Sequence, residues 1–180
     1  MSDPTLSSVD RVRAALRAAG HPDTITEFPA GTRTAADAAA AVGCEIAQIA
    51  KSIVFRAGGT ESDVLRAGGT ESDVMRADGT RAAIIVTSGA NRVDPARAAA
   101  ALGVSLARAD ADWVRAATGF AVGGVAPIAH TSPPLLLLDA DLMALDPIWA
   151  AAGSPRHVFR TTAAELRRLT GAATAAIRQV

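Results

Sequence analysis

"QIAKSIVFR", Gln48 to Arg56, reads as a buried strand, because β-branched and aromatic residues dominate it and neither glycine nor proline interrupts it. A period of two puts Ile49, Lys51, Ile53 and Phe55 on one face and Ser52 on the other. Lys51 is out of place there. The chain has 18 basic residues, and Lys51 is the only lysine among them. Arginine stays charged almost anywhere, whereas a lysine pKa moves readily on burial. On a core-facing side the ammonium sits at the edge of a pocket, and its pKa falls unless an anion compensates. The alternative is a lysine that snorkels its head to water.

Upstream, Thr34 and Asp37 stand in capping-box spacing and Gly43 supplies a stop, so a helix delivers the chain into the lysine strand. Before it, Thr24 to Phe28 alternates as a short strand ending at Pro29. Val9, Val12 and Leu16 mark an amphipathic first helix over Val9 to Ala19. Downstream, "RAGGTESDVL" and "RAGGTESDVM" occupy residues 56–65 and 66–75 and differ only at the last position. Two ten-residue copies are too few and too short for a repeat architecture. They predict a polar hairpin loop leading to a strand over Ala82 to Ser88. Then follow a helix capped by Asp94 with Pro95 first, a short strand in "SLARAD", a helix from Asp110 to Gly119 and a glycine-rich turn. The strand "LLLLD", a turn at Asp141 to Pro147, the strand "HVFRT" and a helix capped by Thr162 complete the chain. Without βαβ regularity, this order predicts an α+β fold: a mixed, partly closed β-sheet (half-barrel) flanked by helices, in one domain over 1–180.

Apolar residues make up 49% of the chain and charged residues 20%, which is globular composition. Zero net charge gives no overall field for nucleic acid, so no DNA partner is expected. Aromatics at 3%, with no tyrosine, leave little for base stacking. The single cysteine, Cys44, excludes an internal disulfide and a cysteine-cluster zinc site, and reads as a small filler. No leader-like segment opens the sequence and Leu135 to Leu138 is too short to span a bilayer, so a cytoplasmic location, no membrane partner and a monomer or weak homodimer are expected.

The turn "GFAVGGVAPIAH" holds Gly119, Gly123 and Gly124, then Pro127 and His130. Paired glycines let backbone N–H groups approach an oxyanion. The turn is neither a GxGxxG fingerprint nor a Walker loop. Taken with "QIAKSIVFRA", "SGANRVDPARAAAALG", "ARADADWVRAATGFAVGGVAPIAH" and "IWAAAGSPRHVFRTTAAELRRLTG", it resembles the bacterial YbaK/EbsC family of aminoacyl-tRNA deacylases, related to the editing domain of prolyl-tRNA synthetases. The resemblance runs from about Ala38 to Gly171. It implies a YbaK-like fold and hydrolysis of the ester joining a wrong amino acid to a tRNA, with no metal or cofactor and with help from the substrate in activating water. The family's essential lysine falls on Lys51 and its glycine loop on Gly123, Gly124 and Pro127. The implied partners are a mischarged tRNA, with tRNA-Pro carrying a small amino acid such as Ala, Cys, Ser or Thr as the expected substrate, and an aminoacyl-tRNA synthetase.

His130 is a candidate for auxiliary proton transfer or substrate positioning, or a structural histidine. Ala129 departs from the glycine often found there in the family. Arg156, His157, Arg160, Arg167 and Arg168 form a basic run that could meet phosphates or simply face solvent. Trp113 and Trp149 read as core. Two other functions fit the same residues: a non-catalytic tRNA- or synthetase-associated binding module, and a Schiff-base enzyme using a desolvated Lys51.

Overall fold

The computed structural model describes residues 6–58 and 79–180, so the duplicated decapeptide beyond Gly58 lies outside the described residues. Side-chain caps set the helix starts. Ser7 accepts from the Asp10 amide at α1 (Ser8–Ala18), and Thr34 and Asp37 form a reciprocal capping box at α2 (Ala35–Val42). Asp94 caps α3 (Pro95–Leu102), Asp110 caps α4 (Ala111–Thr118) and Thr162 caps α5 (Ala163–Thr170).

The strands are β1 (Ile25–Glu27), β2 (Ile49–Gly58), β3 (Arg81–Ser88), β4 (Ser105–Arg108), β5 (Leu135–Asp139), β6 (Ile148–Ser154), β7 (His157–Thr161) and β8 (Ala173–Ala175). They form one mixed sheet in the order β1-β7-β6-β2-β3-β5-β8, with β4 also paired to β2. The α+β class and the mixed, helix-flanked sheet agree with the sequence, and the sheet is not closed into a barrel. Two strands were not foreseen. The alanine-rich β6 has weak intrinsic strand preference and is held by pairing with β2 and β7, and the three-residue β8 is held by β5.

β2 organises the site. One of its edges pairs with β3 along nearly the whole strand. The other edge pairs with β6 at Ile49 and Ala50 and with β4 from Phe55 to Gly58. Between those partners, Lys51 to Val54 have a strand neighbour on one side only, and the sheet is split there.

The two faces do different jobs. Ala50 and Val54 point into the main core with Val12 and Leu16 of α1, Val114 of α4 and Leu166 of α5. On the opposite face, Ile49 packs under α2 with Ala38 and Ala39, and Phe55 packs towards α3 with Ile85, Ala98 and Ile177. Lys51 shares this face and sits between those two clusters. The face predicted for it is the one it occupies, and it is not the side of the main core.

Candidate functional site

A cleft of about 560 Å3 opens on the Lys51 face. Its floor is the alternating set Ile49, Lys51, Ile53, Trp149, Ala151 and Val158, which follows from β2, β6 and β7 lying side by side. One wall comes from α2 and the short 3-10 turn Ile46–Gln48, another from Val122, Gly123 and Val125, and a third from Ser154 to His157.

Lys51 is half-buried, and its Nζ donates a long 3.4 Å bond to the Gly89 carbonyl. Burial pushes its pKa below the usual lysine range, and the Arg92 guanidinium pushes it the same way. Among the described residues, no carboxylate lines this cleft. The ammonium is therefore an uncompensated cation facing a space walled by small apolar and hydroxyl side chains. Such a group attracts an anion or a developing oxyanion.

The turn carrying Gly89 and Arg92 is pinned from below. Asp139 is fully buried, and its carboxylate accepts from the Thr87 hydroxyl at 2.7 Å, the Asn91 side chain at 2.8 Å and the Ser88 amide at 3.3 Å. The Asn91 amide also donates to Asp141, and the Ser88 hydroxyl donates to the Ala47 carbonyl. A fully satisfied buried network holds one arrangement. Here it fixes the carbonyl against which Lys51 rests.

Of the glycine-loop residues predicted for the site, Gly123 lines the cleft, with a φ of +87° that a side chain would strain. Gly124 is buried instead, and packs so closely on the end of β6 that a Cβ would lie 2.5 Å from the Ser154 Cα. Pro127 is buried behind the loop and is not among the lining residues. Ala129 has a φ of 64° and is the only non-glycine residue in that region among the described residues. The turn keeps its left-handed shape on an alanine, at a cost of about 1–2 kcal/mol.

His130 does not reach the cleft. Its Nε2 donates to the Ala126 carbonyl at 2.7 Å, and its ring meets Phe120 edge to face. Burial lowers its pKa to about 4, against a partial upward pull from the Ala126 bond and a small downward push from Arg11. A histidine whose folded pKa lies below its unfolded value stabilises the fold above the unfolded pKa, near 6.5, and that stability is lost as pH falls towards 4. His130→Gln should therefore flatten the stability profile between about pH 6.5 and 4, by up to roughly 3 kcal/mol at the acid end. Chemical denaturation of both proteins at several pH values checks this, and parallel profiles would refute it.

Ser154 escaped the sequence reading, and His157 entered it only as a member of the basic run. Ser154 Oγ lies 2.6 Å from His157 Nδ1, and the same oxygen accepts the Arg156 amide, which leaves its own proton for the imidazole. The far nitrogen, Nε2, stands 4.0 Å from the Glu27 carboxylate. His157 supplies the only imidazole lining the cleft among the described residues. The signal was the Ser-Pro-Arg-His turn, which acquires meaning only once β6 and β7 are known to be a hairpin. Ser52 points to the opposite strand face as expected, and its buried hydroxyl has no hydrogen-bond partner among the described residues at the cleft edge.

The predicted basic run is only partly free: Arg160 and Arg167 are exposed and have no side-chain hydrogen bond or ion pair among the described residues, and His157 lines the cleft. Arg156 is spent on the carbonyls of Phe28 and Pro29, and Arg168 on Glu165 and the Ala19 carbonyl. Trp113 is core as predicted, whereas Trp149 lines the cleft.

Comparison with known proteins matches residues 29–169 to the model of the aminoacyl-tRNA editing domain. A crystal structure of a candidate trans-editing enzyme for prolyl-tRNA synthetase is 38% identical, with a TM-score of 0.79 over 100% of both chains. A structure from work on epitope backbone grafting by computational design is 39% identical, with a TM-score of 0.78 over 96% of this chain and 98% of that one. The uncharacterised protein YwhH of Bacillus subtilis (strain 168) is 25% identical over 142 residues, 79% of this chain and 78% of that protein.

Proposed function

The chain belongs to the aminoacyl-tRNA editing domain family, and from that premise we propose that it is a free-standing deacylase acting on mischarged tRNA, tRNA-Pro carrying a small amino acid being its substrate. The observation that carries this reading is the lone ammonium of Lys51, half-buried and without a counter-charge, in a cleft whose other walls are a glycine loop and a serine–histidine pair. The alanines of the α2 wall, Ala35 and Ala38, and of the floor, Ala151, suit a small side chain, because pocket size is the tool that excludes larger ones.

The chemistry is addition of water to the ester carbonyl, followed by loss of the ribose oxygen, which leaves as a hydroxyl and frees the amino acid. Negative charge gathers on the carbonyl oxygen in the first step. Lys51 meets that charge, and one such fixed donor typically contributes about a hundred- to a thousandfold in rate. His157 lines the same cleft; with the Ser154 hydroxyl donating to Nδ1, its Nε2 carries the ring hydrogen and can orient the water as a donor. Help from the substrate's own groups, implied by the family resemblance, is compatible with this arrangement.

Single-turnover hydrolysis of Ala-, Cys-, Ser- and Thr-tRNA-Pro by the purified protein tests the reading. Release of one or more of these amino acids well above the spontaneous rate is expected. Failure on all four would sink the proposed substrate class.

A further inference from the structure

A second cleft, of about 760 Å3, lies on the same sheet face, on the α3 side of Lys51. The two clefts share Lys51 and Ile53, so they meet at the split in the sheet. Ile53, Phe55 and Leu106 give the second cleft an apolar floor. Two exposed arginines line it: Arg92, in the loop leading to α3, and Arg108, at the end of β4.

Many arginines elsewhere in the chain are already engaged. Arg13, Arg56, Arg97, Arg168 and Arg178 each sit on a carboxylate. Among the described residues, neither Arg92 nor Arg108 has a side-chain hydrogen bond or an ion pair. No aspartate or glutamate among the described residues lines the second cleft. Three cations thus converge without a counter-charge, in a chain whose formal net charge is zero. Their mutual repulsion is relieved by a bound anion, and the guanidinium fork matches a phosphate. The first cleft differs: its one guanidinium, Arg33, has the Asp37 carboxylate beside it, and its remaining surface is mostly small and apolar.

We propose that the second cleft binds the phosphodiester backbone of the RNA strand that carries the ester, with Arg92 and Arg108 each holding a phosphate. The nucleotides preceding the terminal adenosine then lie on the α3 side of Lys51, and the aminoacyl group enters the first cleft. The inference rests on the deacylase reading for the direction of the strand. Phosphate contacts of this kind fix register and supply affinity, leaving the selection of the amino acid to the other cleft.

The test uses Arg92→Gln and Arg108→Gln, both at exposed positions, with circular dichroism to confirm that each folds. Binding is read by fluorescence anisotropy with an unacylated single-stranded RNA ending in CCA. Each substitution should weaken binding about tenfold near 0.1 M salt and lower the slope of log affinity against log salt by about 0.7. Hydrolysis is read on two esters, an aminoacyl-tRNA and the matching 3′-aminoacyl adenosine, which has no phosphate. The loss in kcat/KM should be at least about tenfold larger on the tRNA ester than on the adenosine ester. Equal losses on both esters, or wild-type RNA affinity and salt slope in both variants, overturn the proposal. A wild-type protein that binds RNA through these arginines yet hydrolyses neither ester would sink the deacylase reading while the RNA site stands. Hydrolysis of both esters with RNA binding indifferent to the arginines would remove the RNA site and leave the deacylase reading intact.

Discussion

Lys51→Ala is expected to lower single-turnover deacylation by at least about a hundredfold on whichever mischarged tRNA the wild-type protein hydrolyses fastest. The same variant should be no less stable than wild type. Burial holds the Lys51 pKa down, which means that the folded state penalises the charged ammonium, and removing it relieves that penalty. Loss of rate with a retained melting temperature therefore separates a catalytic lysine from a structural one. Lys51→Arg should recover little, since a planar, wider guanidinium cannot occupy the position that the Gly89 carbonyl and Arg92 leave for a point charge. The pH profile adds a second reading. If the ammonium must be protonated, kcat/KM falls as pH rises through its pKa, and the depressed value brings that alkaline limb below the usual lysine range. Rates are taken after subtracting spontaneous ester hydrolysis. A wild-type rate in Lys51→Ala would move the chemistry to another part of the molecule. Borohydride trapping of Lys51 by a small carbonyl compound would instead support the Schiff-base alternative.

The lysine strand was legible because its alternation is local, and so were the helices, whose caps at Thr34, Asp94, Asp110 and Thr162 act within one turn. What sequence could not reveal depends on pairing between distant segments. β6 is a strand because Ile49 and Ala50 on one side and β7 on the other hold it, while after Ile148 and Trp149 its Ala-Ala-Ala-Gly run has little strand preference. Without β6, His157 reads as one cation in a basic run and Ser154 as a turn residue. The second cleft was hidden for the same reason: Arg108 comes to this face because β4 folds back along the far half of β2, and Arg92 because β3, paired with β2, ends beside Lys51. Gly124 carried a signal that was read for the wrong partner. Its missing side chain suggested approach by a ligand, and in the fold it is the backbone of β6 that comes close.

That close approach makes Gly124→Ala the second large effect. A Cβ at this position would lie 2.5, 2.7 and 2.9 Å from the Cα, carbonyl carbon and amide nitrogen of Ser154, all of them backbone atoms that cannot rotate away. Either the loop lifts from the sheet, displacing the wall that carries Gly123, or the β6–β7 turn moves, displacing the wall that carries Ser154 and His157. Overpacking of this kind typically costs about 1–3 kcal/mol. For a chain of this size that corresponds to a fall in melting temperature of roughly 2–12 °C. Deacylation at 25 °C, where the variant remains folded, should fall by about tenfold or more, since a displacement of about 1 Å in a positioning wall can cost a hundredfold. Gly123→Ala is the matched control. Its Cβ would meet nothing nearer than the Pro155 ring at 3.6 Å, so its cost is confined to the strained φ, about 1–2 kcal/mol. Comparable stability loss in the two variants with a much larger rate loss in Gly124→Ala would assign the effect to the displaced wall. Wild-type melting and wild-type rate in Gly124→Ala would mean that the loop and β6 tolerate separation, and that the wall they form does not position the substrate.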